Sequence, residues 1–148
     1  GQHDMVSLHI NATMALCRAA IPFMREIGGG NIINVSSLGA LLPGPNIAVY
    51  GATKAFLNYY SCSLQTELVD CGISVQALCP GYTHTEFHSN PDFAQFDKGT
   101  VPDEYWMDAA TVVDISLQAL EGDRVVVVPG DSNAELARKV ARQQYDMI

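Results

Sequence analysis

Residues 31–37, Asn31-Ile32-Ile33-Asn34-Val35-Ser36-Ser37, and residues 73–81, Ile73-Ser74-Val75-Gln76-Ala77-Leu78-Cys79-Pro80-Gly81, decide the fold. Each is a short apolar run rich in β-branched residues and closed by hydroxyl or turn residues, the pattern of a β-strand. Between them the loop Leu38 to Asn46 holds Pro43, Gly44 and Pro45, and a helix is predicted from about Ile47 to Asp70. Ala48, Ala52, Ala55, Tyr59 and Cys62 line one face of that helix, and Leu57, Tyr60, Leu64 and Leu68 line another. An apolar arc this wide touches the core and something else besides. Gly72 stops the helix. Two strands joined through a helix run parallel, because a parallel pair needs a long crossover.

The flanks extend the alternation. Toward the N-terminus, Ile10, Met14, Cys17, Ile21 and Met24 step by four, three, four and three, one face of a helix. Pro22 inside it predicts a kink or break, and Gly28-Gly29-Gly30 ends it. Toward the C-terminus, Asp108 can cap a third helix with Val112, Ile115 and Ala119 inward. Val125 to Val128 reads as a strand covered on both faces, and Ser132-Asn133-Ala134-Glu135 as a capping box opening a last helix. Helices alternating with strands imply an α/β domain with a parallel sheet. Residues 82–107 break the pattern: His84, His88, Pro91, Pro102, Phe87, Phe93, Phe96, Tyr105 and Trp106 follow no period. A long aromatic insertion of this kind is expected to form a lid over a site.

Composition narrows the function. Of 148 residues, 48% are hydrophobic and 16% charged, which excludes intrinsic disorder. The net charge is −8 and only 8 residues are Lys or Arg, with no basic run, so nucleic acid is not an expected partner. No stretch has the apolar length of a membrane span. Cys17, Cys62, Cys71 and Cys79 form no Cys-x-x-Cys pair and read as reduced thiols of a cytoplasmic protein. His84 and His88 stand four apart but find no third ligand with convincing spacing, so no metal is expected.

The chemistry concentrates at Tyr50-Gly51-Ala52-Thr53-Lys54. Residues four apart share a helical face. A phenol that titrates at about 10 is a poor base at neutral pH. An ammonium about 5 Å away, at an effective dielectric of about 20, would favour the phenolate by roughly 3 kcal/mol. Thirteen residues earlier stands Ser37, at the carboxyl end of a predicted strand, where α/β folds place ligand groups. Pro80-Gly81-Tyr82-Thr83-His84-Thr85 follows the next strand at the corresponding end.

Asn34-Val35-Ser36-Ser37, Tyr50-x-x-x-Lys54 and Pro80-Gly81-x-x-x-Thr85, in this order and spacing, resemble the short-chain dehydrogenase/reductase family, with Asn11 matching that family's active-site asparagine. The resemblance implies a Rossmann-type fold and an oxidoreductase that interconverts a ketone and a secondary alcohol with NAD or NADP. It implies Tyr50 as general acid/base and a contact of the cofactor, Ser37 as hydrogen-bond partner of the reacting oxygen, and Lys54 as modulator of Tyr50 and holder of the nicotinamide ribose. It implies Asn11 as holder of a relay water, and Pro80, Gly81, Thr83 and Thr85 as the lining of the nicotinamide end. It also implies a homodimer or homotetramer built on Gln2 to Ile27 and Ile47 to Asp70.

The family's Gly-rich nucleotide-binding turn has no counterpart here, since Gly28-Gly29-Gly30 follows a helix and precedes a strand. The first residue is Gly1 and no leader pattern opens the chain. In the family's strand order, 3-2-1-4-5-6-7, the chain is expected to supply strands 5, 6 and 7. About 100 residues would then be absent, at about 30 per βα unit. Residues 1–148 are thus expected to be the catalytic and substrate half of an incomplete Rossmann domain, inactive alone. The alternative is a genuine short protein with a partner on the open strand edge, or a non-catalytic interaction module of the same fold. The aromatic lid favours an uncharged, moderately large carbonyl substrate.

Overall fold

Alternating side-chain direction along three short strands sorts the chain into two layers around one sheet. The structure is a computed structural model and describes residues 1–86 and 97–146. Strands β1 (Gly30–Val35), β2 (Ile73–Leu78) and β5 (Val126–Val127) are parallel, in the order β1-β2-β5. Gly30 pairs with Ile73 and Val35 with Leu78, so the two longer strands end level with each other. Ile32, Ile73 and Val75 turn to one face, where Cys17, Leu64 and Leu68 meet them. Leu78 and Val127 meet Val112 on the other face. With both faces covered, β2 is buried at five of its six residues.

Helices α1 (Gln2–Val6) and α2 (Thr13–Glu26) are joined by a π-helical segment, Ser7–Ala12, and lie with α3 (Ala48–Leu68) on the first face. Helix α4 (Ala109–Ala119) covers the second, and α5 (Asp131–Tyr145) follows β5. Of the two apolar faces of α3, the core takes the one with Leu57, Leu64 and Leu68. A buried leucine contributes about 2 kcal/mol, far more than the smaller alanines of the other face can. The face with Ala52 and Tyr59 is left to solvent, Tyr59 being 79% exposed.

Several local expectations are corrected. Helix α2 runs unbroken through Pro22, because Pro22 and Arg18 both lie on its exposed side, where water can serve the carbonyl the proline leaves unbonded. The irregularity falls instead at Ser7–Ala12. The capping box at Ser132–Glu135 does not form: the N-cap of α5 is Gly130, two residues earlier, and the Asn133 amide donates to the Pro129 carbonyl at 3.2 Å. Asp108 does occupy the N-cap of α4, but without a side-chain capping bond. Part of the expected irregular lid is regular: β3 (Tyr82–His84) and β4 (Trp106–Asp108) pair as a short parallel ladder. Phe87, His88, Pro91, Phe93 and Phe96 lie outside the described residues. All four cysteines are free thiols, with Cys17 and Cys79 buried and Cys62 and Cys71 half-buried. Arg138, Lys139 and Arg142 do gather on α5, interleaved with Glu135 and Asp146. Among the described residues no helix is long and apolar enough to cross a membrane.

Two contacts set the frame. Where the chain enters β1 and β2, Gly29 and Gly72 cross backbone to backbone; a Cβ on Gly72 would meet the Gly28 carbonyl at 2.9 Å, and its φ is 68°. The first helices dock on α3 through His9, whose Nδ1 lies 2.9 Å from Thr53 Oγ1. The Thr53 hydroxyl donates to the Tyr50 carbonyl, so His9 Nδ1 is the donor to it.

Each contact carries a prediction. Gly72→Ala loses about 1–2 kcal/mol from the left-handed backbone alone, with the carbonyl clash added. Urea unfolding of the variant reads it, and a wild-type midpoint would contradict the crossing. Burial, with the Lys54 charge adding to it, holds His9 below the ordinary histidine range. The unfolded chain therefore takes up a proton that the folded chain refuses. Stability from this group is full above the unfolded pKa and is lost as pH falls from there toward the lower folded value. Thermal unfolding followed from roughly pH 7.5 to 5.5 shows a smaller acid loss in His9→Asn, whose amide can replace Nδ1. Identical pH slopes in the two proteins would refute this.

Candidate active site

The parallel register of β1 and β2 brings their carboxyl ends together, and the turns that leave them are stitched to one another. Ser36 N–H donates to the Leu78 carbonyl at 2.7 Å, and Leu38 N–H to the Pro80 carbonyl at 2.8 Å. Cys79 N–H reaches the Val127 carbonyl at 2.7 Å, which ties the third strand in. The buried Ser36 hydroxyl donates to the Lys54 carbonyl at 2.8 Å and so anchors α3 above the strand end. Deeper, Asn34 Nδ2 donates to Ser61 Oγ at 2.9 Å, and the Cys79 thiol to Asn58 Oδ1 at 3.2 Å. Hydrogen bonds thus replace apolar packing directly beneath the site, where α3 must be held in one position.

Ser37 is extended and caps a short 3-10 turn, Leu38–Ala40, its hydroxyl oxygen accepting from Gly39 N–H at 3.0 Å. That turn packs on the first turn of α3. A Cβ on Gly39 would lie 3.3 Å from Tyr50 Cε1 and 3.4 Å from Ser37 Oγ, so the absent side chain leaves the room in which the two hydroxyl residues meet. The Ser37 hydroxyl stands near enough to the Tyr50 phenol to favour its ionised form. The ring of His9 stands edge-on to Tyr50, centroids 6.1 Å apart.

Lys54 Nζ donates to the Val35 carbonyl at 2.8 Å and lies 5.9 Å from the Tyr50 ring centroid. Even-numbered residues of β1 bond to β2, so the odd-numbered Val35 presents its carbonyl to the outer edge. No strand pairs with that edge among the described residues. A groove of about 430 Å³ runs along it, with Leu8, Leu16 and Ile33 on its walls and Lys54 at one end.

Burial pushes the Tyr50 phenol above its ordinary range, with the Ser37 hydroxyl working against the rise. It pushes the Lys54 ammonium down, with Cys79 working the other way. The expected lowering of Tyr50 is therefore not what this chain shows, because Lys54 is drawn toward the strand edge while the phenol is desolvated. As built, Tyr50 is a protonated donor at neutral pH, beside a second hydroxyl that can bond the same acceptor.

Ser37, Tyr50, Lys54, Pro80 and Gly81 are thus gathered at one end of the sheet. The Gly81 carbonyl accepts from the Thr83 hydroxyl at 3.1 Å, and Thr85 is exposed beyond it. Asn11 lies in the last turn of the π-helical segment, is exposed, and has no hydrogen bond to Lys54. The residue of that segment that does reach α3 is His9, which no motif singled out. A π-helical segment shifts the facing of the residues after it, and no local sequence signal marks it. Asn133 was also missed as a site residue; it is fully buried against the Pro80–Gly81 turn. Its Oδ1, like Nδ2 of Asn58, has no partner among the described residues. Each such atom costs about 1–3 kcal/mol. No three side chains of metal-ligating type cluster among the described residues.

The sequence matches the short chain dehydrogenase family over residues 2–93, more than half of the chain. Over 114 residues it is 34% identical to a very-long-chain 3-oxoacyl-CoA reductase of Anas platyrhynchos, which covers 77% of this chain and 36% of the relative. The fold superimposes on a short-chain dehydrogenase from Sphingobium yanoikuyae in complex with NADPH at a TM-score of 0.78 and 31% identity, over 99% of this chain and 56% of that one. It superimposes on the bulky-bulky ketone specific alcohol dehydrogenase from Comamonas testosteroni at a TM-score of 0.71 and 29% identity, over 96% of this chain and 51% of that one. The chain thus spans little more than half the length of these solved structures, and 41% or less of the curated relatives it matches. The matched stretch begins in the first helix and passes the Pro80–Gly81 turn, and the chain belongs to the short-chain dehydrogenase/reductase family of NAD(P)-dependent oxidoreductases.

Proposed function

We propose that this chain is the catalytic and substrate half of an enzyme that interconverts a ketone and a secondary alcohol. The observation that carries the proposal is the convergence of Ser37 and Tyr50 on Gly39 at the carboxyl end of the sheet, with Lys54 one helical turn beyond. Tyr50 gives its proton to the carbonyl oxygen in reduction and takes one from the hydroxyl in oxidation. Ser37, its oxygen already accepting from Gly39 N–H, turns its own proton to the reacting oxygen and steadies charge building there. The raised pKa of Tyr50 suits the donor role, because the phenol stays protonated as substrate arrives.

The donor set fits a nicotinamide dinucleotide. Lys54 spends one N–H on the Val35 carbonyl and keeps two, the number that the paired hydroxyls of a ribose accept. The Pro80–Gly81 turn and Thr83 would line the nicotinamide end, with Thr85 farther out. When bound, NAD or NADP supplies or takes up the hydride. Asn11 would serve the relay water only if the π-helical segment turned it toward Lys54.

The outer edge of β1 supports reading the chain as part of a larger sheet. Asn31, Ile33 and Val35 present N–H and C=O groups there with no strand beside them among the described residues, an edge that proteins normally cover. A further strand and the dinucleotide-gripping half of the fold would cover it and fill the groove. Phe23 on α2 and Tyr59 on α3 are exposed away from that groove, which supports a homodimer or homotetramer on these two helices. Sedimentation equilibrium of the gene product tests the assembly.

The catalytic reading is tested with the full gene product, a panel of uncharged ketones, and NADH or NADPH. Tyr50→Phe lowers turnover by about 10² to 10⁴-fold while dinucleotide affinity stays at the wild-type value. Equal turnover in the two proteins would remove Tyr50 from its role. The half-domain reading is tested by titrating residues 1–148 alone with either dinucleotide in a calorimeter. Binding weaker than about millimolar is expected, and micromolar binding would overturn it.

A further inference from the structure

Two Pro-Gly turns close adjacent parallel strands: Pro80-Gly81 after β2 and Pro129-Gly130 after β5. One side chain lies between them. Asn133, on the first turn of α5, is 0% exposed, and its Nδ2 donates to the Pro129 carbonyl at 3.2 Å. Its amide is laid flat over Gly81: a Cβ there would meet Nδ2 and Oδ1 at 2.7 Å and Cγ at 2.8 Å. The same amide nitrogen would stand 3.2 Å from a Cβ on Gly130.

We propose that Asn133 is a positioning residue that sets the place of the Pro80–Gly81 turn relative to Ser37, and through it the seat of the dinucleotide's nicotinamide end. The inference rests on the function proposed above. From the front, Leu38 N–H holds the Pro80 carbonyl at 2.8 Å, directly after Ser37 in the chain. From behind, the Asn133 amide bars the turn from moving toward α5. The turn is therefore clamped between the serine loop and the last helix. The amide is itself held by Pro129, whose neighbours are tied to β2 by the bond from Cys79 N–H to the Val127 carbonyl. An apolar side chain would fill the space without leaving an acceptor unpaired. Asn133 keeps a buried Oδ1 with no partner among the described residues, and only its Nδ2 bond fixes the plane of the amide. Fixing that plane against Gly81 is what a shape-matched hydrocarbon could not do.

The test uses the full gene product in four forms: wild type, Asn133→Ala, Gly81→Ala and the double variant. Asn133→Ala is expected to raise the KM and Kd for dinucleotide about tenfold or more, with kcat changed far less, since a displacement of about 1 Å in a positioning element costs up to about 10²-fold. Gly81→Ala drives a Cβ into the amide and weakens binding further. Removing the amide makes room for that Cβ, so the double variant binds better than Gly81→Ala alone. Hydrogen exchange read by mass spectrometry shows faster exchange over residues 79–83 in Asn133→Ala, with residues 30–35 unchanged. Wild-type dinucleotide affinity in folded Asn133→Ala, or a double variant no better than Gly81→Ala, overturns the proposal. If the wild type binds no dinucleotide, the proposed function fails, and exchange alone judges the positioning role. Exchange that is unchanged, or raised evenly over the sheet, then refutes it. Should Asn133→Ala not fold, Asn133→Ser takes its place, its hydroxyl able to reach the Pro129 carbonyl. Failure of both to fold assigns the amide to global stability and also overturns the proposal.

Discussion

Strand β2 is paired on both sides, and everything of functional interest hangs from its carboxyl end. Its Leu78 carbonyl fixes Ser36, Cys79 N–H fixes Val127, and the Pro80 carbonyl fixes Leu38. Parallel strands that end level deliver three turns to the same place, which is why ligands of α/β sheets gather there. The price of that geometry is a chain that must cross its own backbone at the other end, where Gly29 and Gly72 pass too closely for any side chain.

The layer between β1 and α3 is more polar than the rest of the core. There Asn34 is bonded to Ser61, Cys79 to Asn58 and Ser36 to the Lys54 carbonyl, whereas the far end of the same helix packs through Leu64 and Leu68 on Ile73 and Val75. Hydrocarbon packing fixes the depth of a helix but tolerates small slides along its axis. Directional bonds do not. The Ser36 bond to the Lys54 carbonyl thus sets the axial position of α3 at the turn that carries Tyr50 and Lys54. The same burial desolvates both, raising the phenol and lowering the ammonium, so each is moved toward its neutral form. A site in this state has a proton ready to give. The positive charge that would help it take one back points to the strand edge.

Much of this was legible in the chain itself, because periodicity and burial agree. Cys17, Ile21 and Met24 step along α2 and do face the core; Val112, Ile115 and Ala119 do so on α4. Local rules failed where a neighbour outbid them. Ser132 and Glu135 match a capping box, yet Asn133 between them is taken by the Pro129 carbonyl and the helix starts on Gly130. Pro22 costs α2 little, since it lies on the solvent side. The β3–β4 ladder joins residues more than twenty positions apart in an aromatic stretch with no period, so nothing local announced it.

By itself the sequence determined the order of elements, the parallel sheet, and the company of Ser37, Tyr50, Lys54 and the Pro80–Gly81 turn. The first two follow from residue type and spacing, which act over a few positions; the last was implied by the family resemblance that the motifs carry. Tertiary structure alone decided which face of α3 is core and that His9, not Asn11, reaches α3. It also decided that Lys54 bonds a strand-edge carbonyl, and that Asn133 stands behind Gly81. Each of those depends on which distant groups compete for the same hydrogen bond or the same few ångströms of space. That competition exists only once the chain has folded.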